Sequence, residues 1–319
     1  MQSIELARRR LKLRDLHILV VVAMRGSMAK AAAELAISQP AVSRAIADME
    51  EELGLRLLDR GRHGVEPTAY GRALIKRGVT IFDELTQGLQ ELEFLADPTV
   101  GELRIGSSEN VAAGLLPAVI DRFSGQYPGI RLNVSQAVLG TSQYRELRER
   151  SIDLLLGWIP TPFAEEDLLA ERVFDDPSGV VAGRQSKWAR SSKVSMSDLA
   201  DEAWILPPPD TFPGSAAAKL FREVGINMPR TPLTTLSIHL CCRLAATGRF
   251  VTLLPSSIVR FGGRDLSLKM LPVKLPRRPP VHVAVVRLKN RTISPAAEKF
   301  IDCVREISNS MVEKPRLRR

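Results

Sequence analysis

Histidine and cysteine are scarce in this chain of 319 residues, and their scarcity closes off several functions at once. The four histidines, His17, His63, His239 and His282, are scattered with no Cys, Ser or Asp constellation that would supply a nucleophile and its base. No G-x-S-x-G elbow, P-loop or G-x-G-x-x-G turn occurs, so an enzyme is not expected. Of the three cysteines, Cys241 and Cys242 are chain neighbours, which rarely pair, and Cys303 leaves an odd count. Neither C-x-x-C nor H-x-x-x-H spacing is present, so neither a metal nor another cofactor is expected, and unpaired thiols fit a reducing cytoplasm. No apolar run reaches the ~20 residues that span a bilayer. Residues 16–24 are apolar behind a basic cluster, but Asp15 and His17 interrupt the junction and Arg25 and Lys30 follow without a clean cleavage site. That pattern suits a packed first helix rather than a secretion signal.

A net charge of +9 suggests a polyanionic partner, yet its distribution weakens the argument. Residues 81–97 carry five acidic side chains and no basic one, while Lys314, Arg316, Arg318 and Arg319 crowd the end of the chain, where a solvated tail is expected. Motifs must therefore carry the case.

The first hundred residues are written in short helices. Leu16, Leu19, Val20 and Ala23 recur at helical spacing, Gly26 stops that helix, and Ser27 can cap the next, whose face carries Ala31, Ala32 and Leu35. Ser38 is placed to cap a third helix with Pro40 in its first turn, where the missing N–H costs nothing. Val42, Ile46, Met49 and Leu53 define its buried face, which leaves Gln39, Ser43 and Arg44 beside or opposite it. A helix, a short turn and a second helix exposing Gln, Ser and Arg near its start is what reading a major groove requires. Beyond Gly54, two short extended pieces around a basic glycine-containing turn predict a β-hairpin wing, with Arg60 and Arg62 able to reach phosphate or the minor groove.

Taken together, Gly26-Ser27-Met28, Ala31-Ala32, Ser38-Gln39-Pro40-Ala41-Val42-Ser43-Arg44, Leu53-Gly54 and Pro67-Thr68-Ala69-Tyr70-Gly71 resemble the winged helix-turn-helix of LysR-type bacterial regulators. The resemblance continues into Gly101-Glu102-Leu103-Arg104-Ile105-Gly106, which is similar to the start of that family's effector domain. The Leu-Lys-Leu-Arg-Asp-Leu run at 11–16 and Phe94-Leu95-Ala96-Asp97-Pro98 resemble the branch containing the galactose-binding protein regulator. On this reading the DNA-contacting set is Ser27, Lys30, Ser38, Gln39, Pro40, Ala41, Ser43, Arg44, Arg60 and Arg62.

Three regions are expected: a DNA-binding domain at 1–67, a linker helix at 68–97 and a regulatory domain at 98–319. In the linker, Ile75, Phe82 and Leu89 repeat every seven residues, as do Gly78, Leu85 and Leu92. That seam predicts a dimerisation surface of Ile75, Phe82, Leu85, Leu89 and Leu92, and the resemblance implies a homodimer or homotetramer on operator DNA.

From residue 101 strands and helices alternate, with strands at 103–105, 130–134 and 152–156, and helices at 115–123 and 143–150. This order predicts a parallel sheet with ligands beyond the carboxyl ends of its strands. The chain is expected to leave for a second α/β lobe across 160–162 and to return with the strand at 281–286 and the helix at 295–308. The family resemblance implies a two-lobed, type II periplasmic-binding-protein-like domain. Its cleft should hold a small molecule against Ser107, Ser108, Gly140, Thr141, Trp158, Pro207, Ser237 and Phe250. The bland alternatives are N-capping for the hydroxyls and an interior packing site for Trp158. A transport solute-binding protein is disfavoured by the missing secretion signal and by the DNA-binding half, and a nucleoid-type, sequence-nonspecific binder would show steep salt dependence without operator preference. A sugar or a small carboxylate is the expected effector class.

Overall fold

Apolar residues every three or four positions produce the first three helices, and polar or glycine residues end each of them. The computed structural model describes residues 11–61, 64–137, 144–262, 265–276 and 281–312. Helix α1 (Leu13–Arg25) buries Leu16, Leu19 and Val20 and stops where Gly26 takes a φ of 61°. Ser27 caps α2 (Met28–Glu34) by accepting from the Lys30 N–H. Ala31 and Ala32 are buried on α2, and these small side chains let it lie against both α1 and the next helix. Ala36 holds a left-handed φ of 52°, which turns the chain so that the Ile37 N–H bonds the Ala32 carbonyl. Ser38 then caps α3 (Gln39–Leu53), and Val42, Ile46 and Met49 go into the core. Each such side chain removed from water stabilises the unit by roughly 1.5–3 kcal/mol.

The wing follows as an antiparallel pair, β1 (Leu58–Gly61) and β2 (Gly64–Pro67), with Leu58 opposite Pro67. It is tied down at two points. Glu50 of α3 accepts the Leu57 and Leu58 N–H groups at 2.7 and 3.1 Å, and the Val65 N–H donates to the Gly26 carbonyl at 3.0 Å.

Thr68 begins the long helix α4 (Ala69–Ala96) by accepting from the Gly71 N–H while donating to the Arg56 carbonyl. A Cβ at Gly71 would lie 2.0 Å from the Leu57 carbonyl oxygen, which explains a glycine inside a helix. The seven-residue seam divides between two fates. Ile75 and Phe82 pack against the α1–α3 core, whereas Leu85, Leu89 and Leu92 are exposed together with Ile81 and Leu95. Among the described residues the α1–α3 core takes no apolar α4 side chain beyond Phe82, so the later members of the seam have no partner within this core. The chain divides into two compact units, Met1–Leu89 and Gln90–Arg319, with the division inside α4. Among the described residues no single helix is long and apolar enough to cross a membrane.

The second unit starts with β3 (Val100–Ser107), α5 (Glu109–Ala113), α6 (Leu115–Gln126), β4 (Gly129–Gln136), a single helical turn α7 (Arg145–Arg148), β5 (Leu154–Ile159) and β6 (Leu168–Asp175). A second lobe follows with β7 (Ser178–Gly183), β8 (Ala203–Leu206), α8 (Phe212–Glu223), β9 (Leu233–Thr234), α9 (Ile238–Ala246), β10 (Phe250–Pro255), α10 (Ser256–Gly262) and β11 (Leu268–Met270). The chain returns through β12 (His282–Leu288) and ends on α11 (Pro295–Val312). The first sheet has the order β4-β3-β5-β12-β6 and the second β11-β7-β10-β8-β9.

Two expectations are corrected here. The first sheet is mixed, because returning β12 runs antiparallel to both β5 and β6. The chain also does not leave at 160–162: β6 stays in the first sheet, and the crossing comes at Asp176 and Pro177. The outgoing and returning crossovers touch, with the Asp176 N–H donating to the Val281 carbonyl at 2.9 Å. Buried Asp176 also accepts from the Ser257 N–H at 2.9 Å, the Ser257 hydroxyl at 2.6 Å and the Ser256 hydroxyl at 3.0 Å. Burial pushes its carboxyl above the usual range, against those hydrogen bonds. Beside it, His282 Nδ1 lies 2.7 Å from Asp175 on the neighbouring strand.

Candidate nucleic-acid interface and effector cleft

On α3 the expected reading face exists as a surface. Gln39, Pro40 and Arg44 are exposed and Ala41 and Ser43 half-buried, on the side away from Val42, Ile46 and Met49. Ser38 is committed to capping, its hydroxyl accepting from the Ala41 N–H at 3.3 Å. That leaves it free to donate outward, since a hydroxyl both donates and accepts. Ser27 does the same for α2, where Lys30 is exposed one turn along. Among the described residues Arg44 has no hydrogen bond or ion pair, in contrast to Arg25, which is held by Glu34. Arg60 pairs with Val65 in the wing, and Arg62 lies outside the described residues. Sequence reasoning missed Glu50. It is the first of three consecutive acids at 50–52, and its carboxylate fixes the wing to α3.

In the second unit the two lobes enclose a cavity of about 990 Å³. The first lobe contributes Gln136 and Trp158, the second Pro207 and Thr252, and the crossovers Pro177 and Val281. Beside it is a smaller chamber of about 490 Å³ lined by Ser107, Ser135 and Ser237. Glu109 and Gln136 line both. Four of the eight expected cleft residues, Ser107, Trp158, Pro207 and Ser237, thus line one chamber or the other. Ser107 ends β3 and is buried, its hydroxyl donating to the Leu156 carbonyl at 3.3 Å. Ser108 stands at the N-cap position of α5 without making the capping bond, and its buried hydroxyl has no partner among the described residues. Trp158 lies within β5 rather than in the loop after it. Gly140 and Thr141 lie outside the described residues.

Phe250 is a correction. It opens β10 opposite Ala203 and packs under Arg249, whose guanidinium is 5.7 Å from the ring centre. Because β10 runs parallel to β8, its opposite end carries Thr252, Leu253 and Leu254 into the cleft and leaves Phe250 away from it. His239 is exposed and lines neither chamber.

The residue that sequence reasoning missed here is Glu109. From the start of α5 in the first lobe, its Oε1 accepts the Ile238 N–H of α9 in the second lobe at 2.6 Å. The only signal was an acid directly after the strand-end serines. Ser237 caps the same helix through the Leu240 N–H at 3.3 Å, and Thr235 accepts from the Ser237 N–H at 3.0 Å. The Ile238 and Leu240 N–H groups of the first turn of α9 are therefore satisfied from within the chain.

Comparison with known proteins agrees with both halves. The profile described as "Bacterial regulatory helix-turn-helix protein, lysR family" matches residues 13–72, and that of the "LysR substrate binding domain" matches residues 96–308. The transcriptional regulator GbpR of Rhizobium radiobacter is 30% identical over 72% of this chain and 78% of its own length. The regulator YdcI of Escherichia coli K12 is 26% identical over 96% of this chain and 99% of its own. Among solved structures, a full-length OxyR from Pseudomonas aeruginosa superposes with a TM-score of 0.62 at 20% identity, covering 94% of this chain and 95% of that one. Full-length CbnR complexed with its target DNA gives 0.59 at 21% identity, covering 93% and 100%. At such identities the likeness speaks to fold. The matched families and relatives are transcriptional regulators and not enzymes.

Proposed function

This chain belongs to the LysR family of transcriptional regulators, with a DNA-binding helix-turn-helix and an effector-binding domain, and from that premise we propose a ligand-gated operator binder. The observation that carries the reading is the exposed face of α3, where Gln39, Ser43 and Arg44 stand on a helix whose other side is locked into the core. Gln39 and Arg44 read base edges, Ser38 and Lys30 hold the phosphate backbone, and the wing's Arg60 and Arg62 contact the adjacent backbone or minor groove. Leu85, Leu89 and Leu92 pair α4 with its counterpart in a second copy, and dimers or tetramers bind paired half-sites near the protein's own promoter. The functional division remains 1–67 for DNA, 68–97 for association and 98–319 for sensing.

The effector occupies the cleft between the lobes. The resemblance at 11–16 and 94–98 favours a sugar or sugar acid, and a small aromatic carboxylate is the second reading. Binding acts by favouring one lobe arrangement over another, which requires unequal affinity for the two. Free, buried thiols at Cys241, Cys242 and Cys303 suit work in the cytoplasm.

A footprint on the DNA upstream of the gene, with and without a panel of small metabolites, tests this reading. Sequence-selective protection whose extent changes with one compound is the expected result. Protection without sequence preference, with steep salt dependence and indifferent to every compound, would replace the reading with a nonspecific binder.

A further inference from the structure

We propose that Glu109 sets the charge class of the effector: the cleft takes a molecule that presents hydrogen-bond donors, a neutral polyol or an organic amine, and rejects carboxylates. This rests on the reading of the interlobe cleft as the effector site, and of the effector classes named above it keeps the sugar and excludes the sugar acid and the aromatic carboxylate.

The argument begins with what a carboxylate ligand would need. In a two-lobed α/β domain its natural seat is a helix N-terminus facing the cleft, where unsatisfied N–H groups and the helix dipole favour negative charge. The nine-residue α9 offers that seat, but the chain itself occupies two of the N–H groups there and places a carboxylate on it. Glu109 Oε1 takes the Ile238 N–H at 2.6 Å, and Ser237 takes the Leu240 N–H. A ligand anion would have to expel Glu109 or sit beside it, and like charges in a partly desolvated cleft repel strongly.

Among the described residues the one cation lining the cavity is balanced by an acid of its own helix. Among the described residues the other charged side chains lining the cavity are Lys219 and Glu223, which face each other at 3.9 Å on α8. Glu109 itself lines both chambers, so its carboxylate is within reach of a ligand in either. Around it, Gln136 lines both chambers, and the Ser135 hydroxyl has no hydrogen-bond partner among the described residues; both can accept as well as donate. A ligand rich in O–H or N–H groups satisfies such a lining in full, whereas a carboxylate has no donor to offer Glu109.

The variant Glu109→Gln removes the charge and keeps an oxygen to accept the Ile238 N–H, so the lobe contact survives. Two measurements on the full-length protein decide the matter. In a Trp188→Phe background, Trp158 is the quenchable tryptophan of the cleft, since Trp204 is fully buried. Quenching by caesium relative to iodide is expected to fall at least two-fold on Glu109→Gln. An unchanged ratio overturns the proposal. Calorimetric titration then uses matched probes: glucose, glucosamine and gluconate, and 4-hydroxybenzyl alcohol, 4-hydroxybenzylamine and 4-hydroxybenzoate. The alcohols or amines are expected to bind at least ten-fold tighter than the matched carboxylates, with the gap closing in Glu109→Gln. Which arm binds separates polyol from amine. A carboxylate that binds the wild type best overturns the proposal. If no probe binds either protein while the quenching ratio responds, the charge assignment stands and the reading of the cleft as a small-molecule site fails.

Discussion

Replacing Arg44 by alanine separates reading DNA from folding more cleanly than any other single change on α3. The side chain is exposed and has no partner among the described residues, so its loss removes no intramolecular bond. Arginine and alanine are both good helix formers, so the unit's stability should move by less than about 0.5 kcal/mol. Operator binding is another matter. A base or phosphate contact from Arg44 is worth about 1–3 kcal/mol per subunit, and a dimer makes it twice, so the loss should amount to roughly 2–6 kcal/mol. Fluorescence anisotropy against the footprinted operator and a scrambled duplex, at several salt concentrations, reads both parts. Collapse of the operator-to-scrambled ratio at constant salt slope marks a base contact; a slope shallower by about one per subunit marks a phosphate contact. Glu50→Ala on the same helix is the control, because it strips the acceptor from the Leu57 and Leu58 N–H groups. It should destabilise the first unit by about 1–3 kcal/mol and leave the specificity ratio of the folded fraction intact. Unchanged operator affinity and specificity in Arg44→Ala would refute the placement of the reading face on α3.

Three further outcomes follow from the geometry. Burial pushes the Cys241 thiol up to about 11 and the Cys242 thiol to about 12, so iodoacetamide at pH 8 should leave both unmodified until the protein is unfolded; native labelling at the unfolded rate contradicts the packing. Because the Asp176 carboxyl is raised in the folded state, its contribution is fully present below the ordinary carboxylate range and is lost as pH rises through the folded value. Relative to Asp176→Asn, the wild type should therefore gain stability on acidification, and parallel urea-denaturation curves across pH 4–7 would show otherwise. Gly71→Ala should destabilise the first unit by about 1–3 kcal/mol, while Gly88→Ala, with nothing within 4 Å, should stabilise α4 by up to about 1 kcal/mol. Equal melting shifts for the two would dispose of the close approach at Leu57.

The helix-turn-helix was legible because its signals are local. Caps at Ser27 and Ser38, a stop at Gly26 and an apolar face of Val42, Ile46 and Met49 each need only a few neighbouring residues to be recognised. What escaped was set by partners distant in sequence. Glu109 meets Ile238 across 129 positions, and no local pattern announces that meeting. Phe250 was misassigned because strand direction, not strand identity, decides which end faces a cleft, and direction follows from the pairing of β10 with β8. The seam on α4 could not be divided from its period alone, since Ile75 and Phe82 are taken by the core beneath them. The mixed sheet was hidden for a similar reason: only the return of the chain through β12 makes it antiparallel there.

The bond from the Asp176 N–H to the Val281 carbonyl has a mechanical consequence. Two crossovers fastened to each other at one point act as a flat spring rather than as two independent tethers. Such a ribbon should bend more readily about one axis than it slides or shears, and with the Glu109–Ile238 bond also joining the lobes it would leave them few soft coordinates. On the proposed reading, whatever occupies the cleft would report itself to the rest of the assembly mainly as a position along those coordinates. Chemically different molecules that wedge the lobes to the same angle would be indistinguishable to the promoter, and the discrimination among them has to be completed inside the cleft.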